Sequence, residues 1–281
     1  MSDLPPVRFT YVDTDAGQVH LTLAGQGDAV VLLHWTPLSA RMYEHEIPHL
    51  AAQGFSVIGV DLIGFGRSAK PDRVLTFERH ADILSQALKA HGITRCAVLG
   101  AHFSAPIAVQ LVLSHAPLVS ALMLDGCGHL LPPAAAKEIG EKVAKLPGPG
   151  LHADGSHRTF IWDQAVSAYS IFDPAFTVTA QNLPQVYRLM LDYLSTGMPP
   201  DFGAFQPFDM AAKLAVIQLP TFLLTAETDP IRSAQGPTAA ALAKGTAPVS
   251  ELTFAGAHPL HDPARRGEYA MAIARFLKAA P

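Results

Sequence analysis

Six short runs rich in β-branched and aliphatic residues, at 29–33, 56–60, 96–99, 121–124, 221–224 and 251–254, most of them continuous rather than alternating, set the strongest limit on what this chain can fold into. A strand whose apolar residues do not alternate must be covered on both faces, as in a parallel sheet held between helices. Helix-length stretches at 40–53, 76–91 and 106–115 fall between the runs, so the pattern reads βαβα. The predicted class is α/β with right-handed crossovers. Residues 7–23 instead alternate polar and apolar around Asp15-Ala16-Gly17, which predicts an antiparallel hairpin at the sheet edge.

The rhythm breaks after Gly128. From 129 to about 214 the chain carries Pro132-Pro133, Leu146-Pro147-Gly148-Pro149-Gly150, Pro174, Pro184, Pro199-Pro200 and Pro207, with helical patches but no strand run. The predicted organisation is a core over 1–128 and 215–281 with a helical cap, 129–214, inserted between its halves. The cap aromatics Phe160, Trp162, Tyr169, Phe172, Phe176 and Tyr187 are expected to build the cap's own core, one or two of them roofing a pocket.

With 281 residues, 49% of them apolar, a large core can be buried. Twenty Lys and Arg against 24 Asp and Glu leave a net charge of −4 and no basic field for a phosphate backbone, so nucleic acid is not an expected partner. No apolar run approaches the ~18 residues of a membrane span. Cys96 and Cys127 lie in apolar segments, and Met1-Ser2-Asp3-Leu4-Pro5-Pro6 lacks the layout of a secretory signal. The expectation is a reduced, cytoplasmic protein, monomeric or homodimeric, whose partner is a small-molecule substrate.

The chemistry concentrates after the third long run. Cys96-Ala97-Val98-Leu99 leads into Gly100-Ala101-His102-Phe103-Ser104-Ala105 and then an apolar helix from about Pro106. A strand, a sharp turn and a helix in this order resemble the nucleophile elbow, G-x-S-x-G, of the α/β-hydrolase superfamily. With Gly100 as the leading small residue the apex is His102 and Ser104 holds the trailing small position. With Ser104 as the apex, the strand is two residues longer and His102 and Pro106 fill the flanks. The helix starts where the superfamily's does only in the first register, so Ser104 remains the alternative nucleophile.

The resemblance extends along nearly the whole chain outside the cap, to capped members such as haloalkane dehalogenases, epoxide hydrolases and C–C hydrolases. His34-Trp35-Thr36-Pro37 is similar to the H-G-x-P turn, which implies Thr36 and Phe103 as the backbone donors of an oxyanion hole, with His34 and Trp35 at the substrate pocket. Residues 61–68, Asp61-Leu62-Ile63-Gly64-Phe65-Gly66-Arg67-Ser68, resemble the D-x-x-G-x-G-x-S turn. Thr225-Ala226-Glu227-Thr228-Asp229-Pro230 stands where the acid loop does, and Gly256-Ala257-His258-Pro259 where the histidine does. The implied roles are His258 as general base, with Asp229 orienting it. Asp125 is the alternative acid, since some members place theirs after the sixth strand.

Two departures shape the functional expectation. His102 stands in place of Ser, Cys or Asp, and Trp35 in place of glycine. An acylated imidazole is short-lived and histidine more often moves protons, so His102 is expected to activate water or donate a proton or hydrogen bond. The expected enzyme is a cofactor-independent hydrolase of an ester, lactone or C–C bond in a small, mostly apolar carbonyl compound. Its rivals are a lyase or decarboxylase of the same fold and a ligand-binding pseudoenzyme. His34, His102, His258 and Asp229 make a chemically reasonable zinc set but match no metal-binding spacing, so no metal is expected. His45, His49, His80, His91 and His115 read as packing or surface residues on helices.

Overall fold

A computed structural model describes residues 4–144, 152–195, 208–265 and 267–280. Eight strands form one sheet: β1 (Arg8–Thr14), β2 (Gly17–Ala24), β3 (Asp28–Leu33), β4 (Phe55–Val60), β5 (Cys96–Ala101), β6 (Val119–Asp125), β7 (Thr221–Ala226) and β8 (Val249–Phe254). Their spatial order is β1-β2-β4-β3-β5-β6-β7-β8. Strands β1 and β2 form the predicted antiparallel hairpin, and β2 also runs antiparallel to β4. The remaining pairings are parallel.

The apolar runs of the inner strands are explained by where successive side chains go, whereas the run at 251–254 lies in the edge strand β8, where Phe254 alone is buried. In β3, Val31 and Leu33 join one core cluster while Val30 and Leu32 join the other, on the opposite face of the sheet. The first cluster is closed by α2 (Phe77–Ala90) and α3 (Ala105–Ser114), and the second by α1 (Glu46–Ala51) and α9 (Glu268–Ala279). Helix α2 begins at Thr76, whose side chain accepts the Arg79 N–H. Helix α9 is capped from another part of the chain: the two carboxylate oxygens of buried Glu46 accept the N–H groups of Gly267 and Ala270, both at 3.0 Å.

The stretch 40–53 is not one helix. It divides into a 3-10 turn, Ala40–Tyr43, and α1. Pro48 has no N–H to donate to Glu44, so the helix restarts at Glu46 and places Pro48 in its first turn, where no donor is required.

Between β6 and β7 lie α4 (Pro133–Ala144), α5 (His157–Phe172), α6 (Leu183–Ser195) and α7 (Met210–Leu214), with α8 (Gln235–Leu242) following β7. Ala165, Val186 and Leu189 form a small core with Trp162, Tyr169 and Phe176, joined by Leu38 from the loop after β3. Tyr187 instead is about half exposed. The Phe172 side chain and the Pro-rich stretches at 146–150 and 199–207 lie outside the described residues. The Ser39 hydroxyl lies 2.9 and 3.0 Å from the two Asp192 carboxylate oxygens of α6, and burial raises that carboxyl to about 7.

Candidate active site

Strand β5 ends at Ala101, and the next residue, His102, has φ +50°. Among the described residues it is the one non-glycine with positive φ. A β-carbon in this left-handed region costs roughly 1–2 kcal/mol, so the surroundings must impose it. They do so through close packing of the turn. A Cβ on Gly100 would stand 2.5 Å from the Ser104 carbonyl oxygen and 2.7 Å from the Ala108 Cβ, so helix α3 presses directly against the strand end. Ser104 pins the turn, its Oγ accepting the Ala101 N–H at 2.8 Å and lying 3.0 Å from the carbonyls of Leu33 and Ala101.

Two histidine–carboxylate pairs stand at the same end of the sheet. His102 Nε2 is 3.0 Å from Asp229 Oδ2, while Asp229 Oδ1 accepts the Ile231 N–H at 2.8 Å. His258 Nε2 is 3.1 Å from Asp125 Oδ2, an approach off the line of a straight hydrogen bond, and its Nδ1 accepts the Leu260 N–H at 3.3 Å. The Tyr269 hydroxyl of α9 donates to the same Asp125 Oδ2 at 2.8 Å. Neighbouring strands account for the juxtaposition, since Asp125 at the end of β6 pairs with Leu224 of β7, whose following loop carries Asp229. Trp35 ties the pairs together: its ring stacks on His102 at 4.5 Å and 26°, and meets His258 edge-on at 5.7 Å and His261 at 5.1 Å.

The electrostatics divide these imidazoles. Burial disfavours the His102 cation, but the charge and hydrogen bond of Asp229, with the charge of Asp125 added, outweigh it and raise His102 above its ordinary value. Asp229 is buried too, yet the His102 cation and the Ile231 N–H hold its carboxyl low. Burial, reinforced by the charge of His258, presses His261 down to about 3, so it stays neutral. The His102 side chain is 16% exposed, against 1% for His258.

The alpha/beta hydrolase fold family matches residues 28–148, from β3 through the elbow and β6. A haloalkane dehalogenase of Mycobacterium marinum is 29% identical over 125 residues, which is 44% of this chain and 39% of the relative. The alignment thus spans about two fifths of that protein's length. The AB hydrolase superfamily protein YisY of Bacillus subtilis is 25% identical over 229 residues, 79% of this chain and 82% of the relative. Among solved structures, an epoxide hydrolase of Vigna radiata superposes with a TM-score of 0.78 at 14% identity, covering 97% of this chain and 98% of its own. An esterase of Exiguobacterium antarcticum gives 0.74 at 19%, covering 96% and 99%. The chain has the α/β-hydrolase fold.

Set against the superfamily pattern, three sequence expectations change. Asp229 was expected to orient His258; it pairs with His102, and the carboxylate facing His258 is Asp125. The reason is local, because an imidazole at the apex reaches the loop after β7 and takes up the acid there. Ser104 is not placed to attack a substrate. It is fully buried, and its one hydroxyl proton lies between two backbone carbonyls. His34 serves the backbone instead. It is fully buried, its Nε2 accepts the Leu62 N–H at 3.1 Å, and its Nδ1–H donates to the Trp35 carbonyl at 2.8 Å, so it braces the turn after β3.

Thr36 and Phe103 follow adjacent strand ends, since Leu33 pairs with Gly100 and Ser104 bonds back to Leu33. Asp61 holds its own turn by accepting the N–H groups of Ala40 and Arg67 at 2.7 and 2.8 Å, with His20 at 3.0 Å. The sequence reading missed Tyr269, for which no motif speaks, and it gave no role to His261, although a second histidine three residues after His258 was a usable signal. Among the described residues no helix is long and apolar enough to cross a membrane, and no group of three or more His, Cys, Asp or Glu is arranged to hold a metal ion.

Proposed function

We propose that the protein hydrolyses an ester, lactone or C–C bond in a small, mostly apolar carbonyl compound by acid–base catalysis, without a covalent acyl-enzyme. The observation that carries this reading is the apex itself: it bears an imidazole bonded to Asp229 at 3.0 Å, a group suited to moving protons and one whose acylated form would be short-lived. Asp229 takes Nε2, so proton transfer runs through Nδ1. Neutral His102 removes a proton from water as the hydroxyl oxygen adds to the carbonyl carbon. The tetrahedral oxyanion then collapses, the scissile bond breaks, and the His102 imidazolium returns the proton to the departing oxygen or carbon. Asp229 and Asp125 stabilise the intermediate imidazolium, and the N–H groups of Thr36 and Phe103 serve the oxyanion. His258, more enclosed than His102, packs between Asp125 and the edge of Trp35. The helices of 129–214 form the cap over this site.

The test is a turnover screen on esters, lactones and β-diketones with wild type and His102→Ala. Intact-protein mass spectra are taken after rapid acid quench. The reading expects a loss of about 10²–10⁴-fold in His102→Ala and no added mass on wild type. Its acidic limb should lie above pH 6.5, because the working base is a histidine whose pKa is raised. Unchanged turnover in the variant, or an accumulating acyl adduct, would refute it.

A further inference from the structure

We propose that Trp35 is a positioning residue for His102, its indole face fixing the apex imidazole and favouring that ring's protonated form. The proposal builds on the acid–base role given to His102 above, but its physical content is the stack and can be measured without a substrate.

The geometry leaves the imidazole little freedom. One face lies on Trp35 at 4.5 Å and 26°. Gly126 closes another side, since a Cβ there would stand 2.9 Å from His102 Cδ2 and 3.0 Å from Nε2. Asp229 holds Nε2. Trp35 is itself immobilised, only 3% exposed. An aromatic face attracts a cation through its quadrupole, and a neutral imidazole in the same stack gains dispersion alone. The indole therefore acts differently on the two states through which the proposed reaction cycles. A glycine at position 35, as in the H-G turn, offers no such face.

The other charged and titratable groups around His102 are accounted for. Asp229, from the loop after β7, and Asp125, from the end of β6, favour the proton. His258 and His261, from the loop after β8, also meet the indole, at 5.7 and 5.1 Å, and His261 carries no charge near neutrality. Removing the indole face should lower the His102 midpoint by about 0.5–1 pH unit, the size of a partly desolvated cation–π contact.

The chain has two tryptophans, and Trp162, on α5, packs against Tyr187 of α6. In Trp162→Phe, fluorescence therefore reports Trp35 alone, and an imidazolium in ring contact quenches indole emission. Because His258 also meets the indole, the titration is run with His258→Gln added; the expected result is one quenching step as pH falls, with its midpoint above 6.5, abolished by the further change His102→Gln. In parallel, His102 is titrated by NMR in Trp35→Leu and Trp35→Phe, where the leucine variant should show the lowered midpoint and the phenylalanine variant recover most of it. A quenching step that survives His102→Gln, or equal midpoints in wild type and Trp35→Leu, overturns the proposal. Should Trp35→Leu fail to fold, the fluorescence titration, which keeps the indole, still decides. Absence of turnover on every carbonyl substrate with the quenching step intact would remove the proposed reaction and leave the stack standing.

Discussion

Asp229→Asn keeps the shape of the side chain and removes the charge that faces His102. The carboxylate is fully buried and the imidazole 16% exposed, so solvent screening of the pair is weak. A hydrogen bond to a charged group in such a place contributes about 1.5–3 kcal/mol. At 1.36 kcal/mol per pH unit, its loss should lower the His102 midpoint by roughly 1–2 units. The stability consequence has a definite sign. Because the folded pKa of His102 is raised above the ordinary 6.5, its contribution is fully present below 6.5 and is lost as pH rises through the folded value. From the other partner, Asp229 has a lowered pKa, so its share is present above 3.8 and fades only as pH falls through the depressed value. Urea unfolding of wild type and Asp229→Asn at pH 5.5 and 9.5 should thus give a difference of about 1.5–3 kcal/mol at the lower pH and a smaller one at the higher. A gap that is constant, or wider at pH 9.5, would show that His102 gains no charge stabilisation from Asp229.

Gly126→Ala should disturb the site sharply. Its Cβ would meet the His102 ring at 2.9–3.0 Å from a backbone with φ +72°, so the His102 resonances should shift and turnover fall at least tenfold while the variant still melts cooperatively. Ser104→Ala should act on stability instead, costing about 1–3 kcal/mol by urea titration because the Ala101 N–H loses its acceptor, and fluorophosphonates should label neither form. Tyr269→Phe takes away the donor to Asp125 Oδ2, whose Oδ1 already has no partner among the described residues. A destabilisation of about 1–3 kcal/mol by urea titration is expected. Unchanged stability would mean that the tyrosine's bond to Asp125 contributes nothing to the fold.

The strands were legible because burial on two faces leaves a mark in single side chains. The runs at 29–33, 56–60 and 96–99 fall short of β3, β4 and β5 only by end residues such as Asp28, Phe55, Gly100 and Ala101, which pair through the backbone without adding to an apolar run. The elbow was legible for a similar reason, as small residues must stand where α3 presses on β5. Which carboxylate meets which imidazole was not. Asp125 and Asp229 are 104 positions apart in sequence but follow adjacent strands, and the choice depends on side-chain reach across a few ångströms. Tyr269 was invisible because its role comes from the seating of α9, which Glu46 fixes from 221 residues away.

The two acids also explain why a histidine at the apex is tolerable. A superfamily member with one acid can orient one imidazole, and a second imidazole beside it would compete for that carboxylate or leave a cation uncompensated in a buried site. Here the acid position after β7 and the one after β6 are both filled, each within 3.0–3.1 Å of its own histidine. His102 thus gains a counter-charge without taking one from His258, and Trp35 meets both rings. The arrangement is self-consistent only as a set. Apex imidazole, second carboxylate and stacked indole each answer a cost that another creates, so a relative with histidine at this apex should also carry carboxylates at both strand ends. Such a relative lacking the acid after β7, yet folding with a raised apex-histidine pKa, would show that the pairing is not what makes the substitution possible.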